Sequence, residues 1–231
     1  MSHFGLAANL VKDVEKMSLY YIKLIRTMAN HTKEYDKIFG MNESVSNLKT
    51  ALRSSMRAKR KALSREERQK ASETICGKLL RDTEIKASTP QKHAVIAVYM
   101  ASPDEIDLTD FIIESLKSDI TIVSPRWDGE KYELAKIKGL DARHMRKGPM
   151  NILEPADAEI VAPNDVAIWI IPGRAFSLDG KRLGYGGGWY DRLLSAASAT
   201  SLKFGVAHSF QIADDIPVEP HDIRLDKTIT D

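Results

Sequence analysis

Ala94-Val-Ile-Ala-Val-Tyr-Met100 is an unbroken apolar run rich in Val and Ile, set off by the turn-like Ser88-Thr89-Pro90. A strand with one wet face alternates apolar and polar residues, so a run with no polar position predicts a strand buried on both faces. Val166-Ala-Ile-Trp-Ile-Ile171 repeats the pattern. After Met100, Asp107 and Thr109 can cap a helix ending near Lys117, and Ile120–Val123 reads as a second strand stopped by Pro125. Tyr132–Ile137 alternates like an exposed or edge strand, Trp189–Ala197 predicts a helix, and Lys203–Ala207 and Asp226–Thr230 predict two final short strands. Upstream, Ser46–Ala62 reads as a helix with Leu48, Leu52 and Met56 on one face and Lys49, Arg53, Arg57, Lys59, Arg60 and Lys61 around the rest. Ser64 stands three residues before Glu67, a capping box that opens a second helix through Leu80. Strands alternating with helices in this way predict an α/β domain: a three-layer, open, largely parallel sheet with helices on both faces. No Pro/Gly/Ser-rich linker divides residues 90–231, so 46–231 reads as one domain.

Residues 1–45 read as an N-terminal helical extension. Leu6, Leu10, Val14, Met17, Tyr21, Leu24 and Met28 recur at spacings of three and four, one face of a helix. An isolated helix of that kind is marginal in water, so its stripe must cover something. Its own domain or a sister subunit in a homo-oligomer would serve, and a membrane surface is the alternative. The segment lacks a signal-type apolar core, and Asp13, Glu15, Glu34, Asp36 and Glu43 are unlike an acid-poor presequence.

Composition narrows the class. With 43% hydrophobic and 29% charged residues the chain sits well outside the disordered regime. A formal net charge of +2 argues against a protein built to neutralise a phosphate backbone, so no nucleic-acid partner is expected. The longest apolar run, Ala94–Ala101, is far too short to span a bilayer. The single Cys76 can form no internal disulfide and lies in an amphipathic helix, which suits a core position and a reducing, cytoplasmic setting.

The densest chemical signal is Ile171-Pro-Gly-Arg-Ala-Phe-Ser-Leu-Asp-Gly-Lys-Arg-Leu-Gly-Tyr-Gly-Gly-Gly-Trp-Tyr-Asp-Arg192. A buried strand ends, and Gly184, Gly186, Gly187 and Gly188 then lead into a helix. Glycines let a backbone approach a ligand closely, and the unpaired N–H groups at a helix start suit phosphate. Lys181 and Arg182 add full charges just upstream. The dinucleotide pattern fails, because Trp189 stands where its last glycine belongs, and no Gly-Lys-Ser/Thr triplet follows the mononucleotide spacing. A tight turn is the alternative reading of the glycines. Asp191, in the first helical turn, can complement the dipole or hold Mg²⁺ beside a nucleotide. The helix 49–70 carries nine basic residues against Glu66 and Glu67. It reads as a solvated face, as a nucleic-acid-binding helix, or as a support for Lys49 and Arg53, four apart, to reach a triphosphate. Glu105 stands beyond the end of the first buried strand, where open α/β sheets bind ligands, and can accept from an N–H-bearing heterocycle. Arg126-Trp127 occupies an equivalent place beyond the second strand, as a phosphate or ring contact. The histidines show no zinc spacing, and Ser177 and Ser209 lack a triad context. Asp222 is the remaining polar candidate, in a stretch just before the last strand.

Together these pieces resemble the 5-formyltetrahydrofolate cyclo-ligase (methenyltetrahydrofolate synthetase) family. The matching parts are Lys49-Thr-Ala-Leu-Arg53, Met100 with Asp104-Glu-Ile-Asp107, Ser124-Pro-Arg126, and Ile171-Pro-Gly173. They continue with Arg182-Leu-Gly-Tyr-Gly-Gly-Gly-Trp-Tyr-Asp-Arg192 and Pro217-Val-Glu-Pro-His-Asp-Ile-Arg-Leu-Asp226, in the family's order across about residues 47–230. The resemblance implies ATP-dependent closure of 5-formyltetrahydrofolate to 5,10-methenyltetrahydrofolate, with ATP as co-substrate and Mg²⁺ as cofactor, through a phosphorylated formyl group. It implies ATP contacts from Lys49, Arg53, Arg126, Arg182, Gly184, Tyr185, Gly186, Gly187, Gly188, Trp189 and Tyr190. It implies folate contacts from Met100, Glu105, Tyr185, Gly186, Gly187, Gly188 and Trp189, and Mg²⁺ held by Asp191 and Asp222. The family commonly has Gly-Arg-Gly where this chain has Gly184-Tyr185-Gly186, Tyr in place of Trp189, and Leu and Asp in place of Arg174 and Ser177. A nucleic-acid-binding protein using helix 49–70, and a sugar-phosphate or acyl-transfer enzyme of similar layout, are the competing readings.

Overall fold

The computed structural model describes residues 45–88, 94–118, 120–219 and 222–231; the helix expected within 1–45 lies outside them. Its elements in chain order are helices α1 (Val45–Ala62), α2 (Arg65–Arg81) and α3 (Thr83–Ser88), strand β1 (Val95–Ala97), helix α4 (Thr109–Leu116), and strands β2 (Thr121–Trp127), β3 (Tyr132–Lys136), β4 (Met145–Lys147), β5 (Leu153–Pro155), β6 (Ile160–Val161), β7 (Ile168–Ile171), β8 (Ala175–Phe176) and β9 (Arg182–Leu183). Helix α5 (Trp189–Ser195) and strands β10 (Leu202–Ala207) and β11 (Lys227–Thr230) complete the chain.

Seven strands form one sheet in the order β11-β10-β7-β1-β2-β3-β6. The pairs from β11 to β2 are parallel, while β2–β3 and β3–β6 are antiparallel. The sheet is therefore largely parallel, as the double-sided apolar runs require. Successive side chains of a strand face opposite ways, and the two cores follow that alternation. Ile96, Ile122, Ile168, Ile170, Phe204 and Val206 pack on one face with Ala71, Ile75 and Leu79 of α2 and Phe111 and Ile112 of α4. Ala97, Val123, Trp169, Ile171 and Ala207 pack on the other with Leu193 and Leu194 of α5 and Phe176 of β8. Helices thus cover both faces. Cys76 is 3% exposed within the first core, and burial pushes its thiol up to about 11.

The capping box forms as expected: Ser64 N–H donates to Glu67 Oε2 at 2.7 Å and Glu67 N–H to Ser64 Oγ at 3.1 Å. Asp107 also caps, accepting from the Thr109 N–H at 2.9 Å, although the boundary residue of α4 is Leu108.

Two expectations need correction. Pro125 does not stop its strand, since β2 runs on to Trp127 in register with β3. The Val123 carbonyl faces β1 and accepts from Val98 N–H at 2.9 Å. Two residues later Pro125 turns its missing N–H the same way, past the point where β1 has ended, so no ladder bond is lost. The helix after the glycines is also shorter than read, ending at Ser195.

Candidate active site

A cavity of about 460 Å³ opens beyond the carboxyl ends of β1 and β7. It is reached by the chain just after those strands, at Met100 and Pro172, and by Pro125 within the last part of β2. Three segments far apart in sequence wall it: the inner face of α1, the loop after β1, and the glycine loop before α5.

Helix α1 supplies cations on the side it presses inward. Lys49 and Arg60 are buried with Met56, and Arg53 is half-buried. A stripe of Lys and Arg at helical spacing reads as solvated, yet here Lys49, Arg53 and Arg60 each have an inward partner. Lys49 Nζ lies 2.7 Å from both Glu219 and Asp222. Burial works to lower the Lys49 pKa, but these two carboxylates hold it above its ordinary value. Arg53 Nε donates to the Gly184 carbonyl at 3.0 Å, tying α1 to the glycine loop.

The glycine loop is pinned from several sides. Arg182 is buried, pairs with Asp191 at 2.7 Å and donates to the Pro172 carbonyl at 3.3 Å. Arg192 donates to the Gly187 carbonyl at 2.9 Å and covers the Trp189 ring at 4.2 Å. Gly186 (φ 104°) and Gly188 (φ 63°) take left-handed conformations that side chains disfavour, which is why this turn needs glycine at both. Trp189 meets Trp127 and Tyr132 edge-to-face, with ring centroids 5.5 and 5.0 Å away. Tyr132 and Trp189 of this group line the cavity beside the glycine loop, and Trp127 packs against both without lining it.

The loop after β1 contributes carboxylates. The Tyr99 hydroxyl donates to the Ile106 carbonyl at 2.7 Å and holds the loop closed. Glu105 Oε2 accepts from the Ser102 N–H at 2.7 Å, and its Oε1 accepts from the Tyr185 hydroxyl. Asp104 pairs with Arg60 at 3.0 Å and with Arg174 at 3.4 Å. Burial alone would raise the Asp104 carboxyl; the Arg60 guanidinium, with Ser102 and Arg174, holds it below the usual carboxylate range. Gln211 donates to the carbonyls of Gly173 and Arg174 at 3.0 and 2.9 Å, fixing the backbone from which Arg174 projects.

Lys49, Arg53, Met100, Glu105, Arg182, Gly184, Tyr185, Gly186, Gly187, Gly188, Trp189, Tyr190, Asp191 and Asp222 all line this one cavity. Arg126 does not. The strand that was read as ending at Val123 continues, and alternation along it turns Pro125 to the cavity and Arg126 to the opposite face. Arg60, Asp104, Arg174, Tyr132 and Glu219 were not among the expected site residues, although Arg174 stood out as a departure from the family. Arg60 was legible only in its spacing, since it falls on the same helical face as Lys49, Arg53 and Met56. The β4–β5 turn adds an apolar lip of Pro149, Met150, Ile152 and Leu153 that no sequence pattern announced.

The residues fit a hard divalent cation by donor chemistry. Asp191 and Asp222 present carboxylate oxygens to the cavity, and six carboxylates line it among the described residues against four cations. No cluster of three His, Cys, Asp or Glu forms among the described residues, so any ion held here would take part of its shell from ligand or water. Among the described residues no helix is long and apolar enough to cross a membrane.

A model of the 5-formyltetrahydrofolate cyclo-ligase family matches residues 45–231. The 5-formyltetrahydrofolate cyclo-ligase of Mycoplasma pneumoniae is 31% identical, over 79% of this chain and 98% of its own. Among solved structures, the 5,10-methenyltetrahydrofolate synthetase of Aquifex aeolicus is similar with a TM-score of 0.68 and 36% identity, over 78% of this chain and 88% of its own. A 5,10-methenyltetrahydrofolate synthetase from Mycoplasma pneumoniae is similar with a TM-score of 0.61 and 29% identity, over 79% and 98%.

Proposed function

Because the chain belongs to the 5-formyltetrahydrofolate cyclo-ligase family, and so to the ligases, we propose that its cavity closes 5-formyltetrahydrofolate to 5,10-methenyltetrahydrofolate at the expense of ATP. The observation that carries this reading is the meeting in one cavity of a pinned, cation-flanked glycine loop and a carboxylate held as a hydrogen-bond acceptor. The loop suits phosphates. The fixed Glu105 and the Tyr132 and Trp189 rings suit a planar heterocycle with N–H groups.

In this reaction the formyl oxygen attacks the γ-phosphoryl group and ADP leaves. The N10 nitrogen then attacks the activated formyl carbon, and phosphate departs with the formyl oxygen. Each displacement needs an in-line approach and a stabilised anion rather than a protein nucleophile, so placement and charge carry the catalysis. Lys49, Arg53 and Arg182 would face the phosphates, and the Gly186–Gly188 backbone would approach them closely. Glu105 would orient the pterin, with Met100 against its side. Asp191 and Asp222 would hold Mg²⁺, which neutralises phosphate charge when bound. Arg182 and Lys49 stand beside these two carboxylates at 2.7 Å, placing cation and acid together where a metal–phosphate unit would dock.

The nucleic-acid reading weakens on the same geometry. Lys49, Arg53 and Arg60 of the basic helix turn inward rather than toward a polyanion. The test is the absorbance of the methenyl product from 5-formyltetrahydrofolate and MgATP. Product that depends on ATP is expected; its absence, with salt-sensitive binding to RNA or DNA instead, would reverse the assignment.

A further inference from the structure

Behind the cavity wall, the end of α1 meets the glycine loop through one buried arginine. Arg60 is 1% exposed. Its Nη1 donates to the Tyr185 hydroxyl oxygen at 2.9 Å, its Nε donates to the Asp104 carbonyl at 2.7 Å, and its Nη2 lies 3.0 Å from the Asp104 carboxylate. A guanidinium has donors and no acceptor, whereas a phenol has a single proton to give. With Arg60 donating to it, the Tyr185 oxygen must direct that proton elsewhere, and the Glu105 Oε1 receives it. The other Glu105 oxygen takes the Ser102 N–H. Arg174 lies over the Tyr185 ring, 4.5 Å from its centroid, and closes the remaining freedom of the side chain. Tyr185 is 39% exposed as a residue, but its hydroxyl points inward between Arg60 and Glu105. Burial and the neighbouring Glu105 raise its phenol above the ordinary range, against the opposing pull of Arg60, so it stays a proton donor.

We propose that Arg60 and Tyr185 are positioning residues for the folate side of the site: Arg60 sets the direction of the Tyr185 phenol proton, and the phenol holds Glu105 as an acceptor aimed at the N–H groups of the pterin. The inference rests on the cyclo-ligase reading for the identity of the ring. It moves Tyr185, expected to touch both ligands, off the phosphates. A glutamate already held by two donors has less rotamer freedom left to lose when its ligand arrives. Neither residue needs to touch the reacting atoms.

Steady-state kinetics with each substrate varied in turn test this. Tyr185→Phe removes only the hydroxyl and leaves the ring for Arg174. It should raise KM for 5-formyltetrahydrofolate about tenfold and leave KM for MgATP within about twofold, the mark of one lost ground-state contact chain. Arg60→Met should produce the same folate-side loss. The double variant should be no worse than the poorer single one, because both act through one hydroxyl. Arg60→Lys, which keeps a donor and a charge beside Asp104, should recover part of the loss. A rise in KM for MgATP with the folate KM unchanged would overturn the proposal, as would unchanged constants or losses that multiply. If Arg60→Met does not fold, the pair Tyr185→Phe and Glu105→Gln gives the same reading, with non-multiplying losses expected and multiplying ones contrary. If the unaltered protein makes no methenyl product, the cyclo-ligase reading fails by itself. Thermal unfolding of the same variants without substrate then decides whether Arg60 and Tyr185 are coupled as proposed or independent.

Discussion

Asp191 and Arg182 show how one residue pair serves two ends. Arg182 is 3% exposed in its side chain and has Asp191 as its charged partner, whose own side chain is 23% exposed. Removing the carboxylate charge leaves a buried guanidinium beside a neutral amide, at a cost of about 1–2 kcal/mol once the partly open partner is allowed for. Asp191→Asn should therefore unfold slightly earlier. If Asp191 also holds Mg²⁺, the folded variant should lose about 10²-fold or more in turnover at limiting Mg²⁺ and recover part of it as Mg²⁺ is raised. Normal turnover at limiting Mg²⁺ would remove the metal role and leave only the ion pair. At this scale the sequence was legible where a residue sat inside a motif and illegible where it acted alone. The glycine run drew attention to Arg182, Tyr185 and Asp191 together. Arg60 looks like an ordinary surface charge until the fold carries it behind the cavity wall. Asp104 and Glu219, though inside matching segments, show their part only when the loop after β1 and the segment before β11 meet α1. Arg126 was misplaced for a related reason, because the parity of a strand past Pro125 depends on whether the strand continues.

The elements were legible in proportion to their length. Long helices have redundant signals, so α1 and α2 stand where the patterning put them, whereas β1 and β7 fall inside the runs Ala94–Met100 and Val166–Ile171 but span only Val95–Ala97 and Ile168–Ile171. Two-residue strands such as β6, β8 and β9 carry no period at all, and they form because longer neighbours offer an edge. Helix α3 is a further example, since its start is held by a tertiary contact. The Asp82 carboxylate accepts from the Glu84 and Ile85 N–H groups at 2.9 and 3.1 Å, and Lys227 of β11 donates to it at 2.6 Å. Burial would raise this carboxyl, but Lys227 and the two N–H groups hold it below its usual value near 3.8. The folded state therefore favours the ionised form. The contribution is fully present above the ordinary carboxylate range and fades as pH falls through the lower folded value. Asp82→Asn keeps a capping oxygen and loses the charge that pairs with Lys227, so it should cost about 0.5–1 kcal/mol at neutral pH, and the gap to the unaltered protein should narrow below about pH 4. Urea unfolding at several pH values measures it; a gap independent of pH would mean that the charge is idle. Ser64→Ala, which breaks the capping box at α2, should cost about 1 kcal/mol by the same measurement. Retention of full stability would show that α2 is held by its buried face alone.

At the scale of the molecule, charge is distributed against the composition. The chain carries a net +2, yet among the described residues six carboxylates face the cavity against four cations. A triphosphate entering without a metal would add negative charge to a wall that already has an excess of it. One divalent ion between Asp191, Asp222 and the phosphates would offset that excess locally. The binding of nucleotide and metal should therefore be coupled, each raising the affinity of the other. Thermal unfolding reads this without any turnover. At about 100 times its dissociation constant MgATP should add about 2.7 kcal/mol, which for a domain of this size is about 5–10 °C in Tm. ATP with a chelator at the same concentration should give a small fraction of that shift, and Mg²⁺ alone little. The Asp191→Asn and Asp222→Asn variants should lose the MgATP shift while keeping the small one from free ATP. If ATP with a chelator stabilised the protein as much as MgATP does, the four cations would hold the triphosphate unaided. The acidic residues of the wall would then be counter-ions to Lys49 and Arg182 and nothing more.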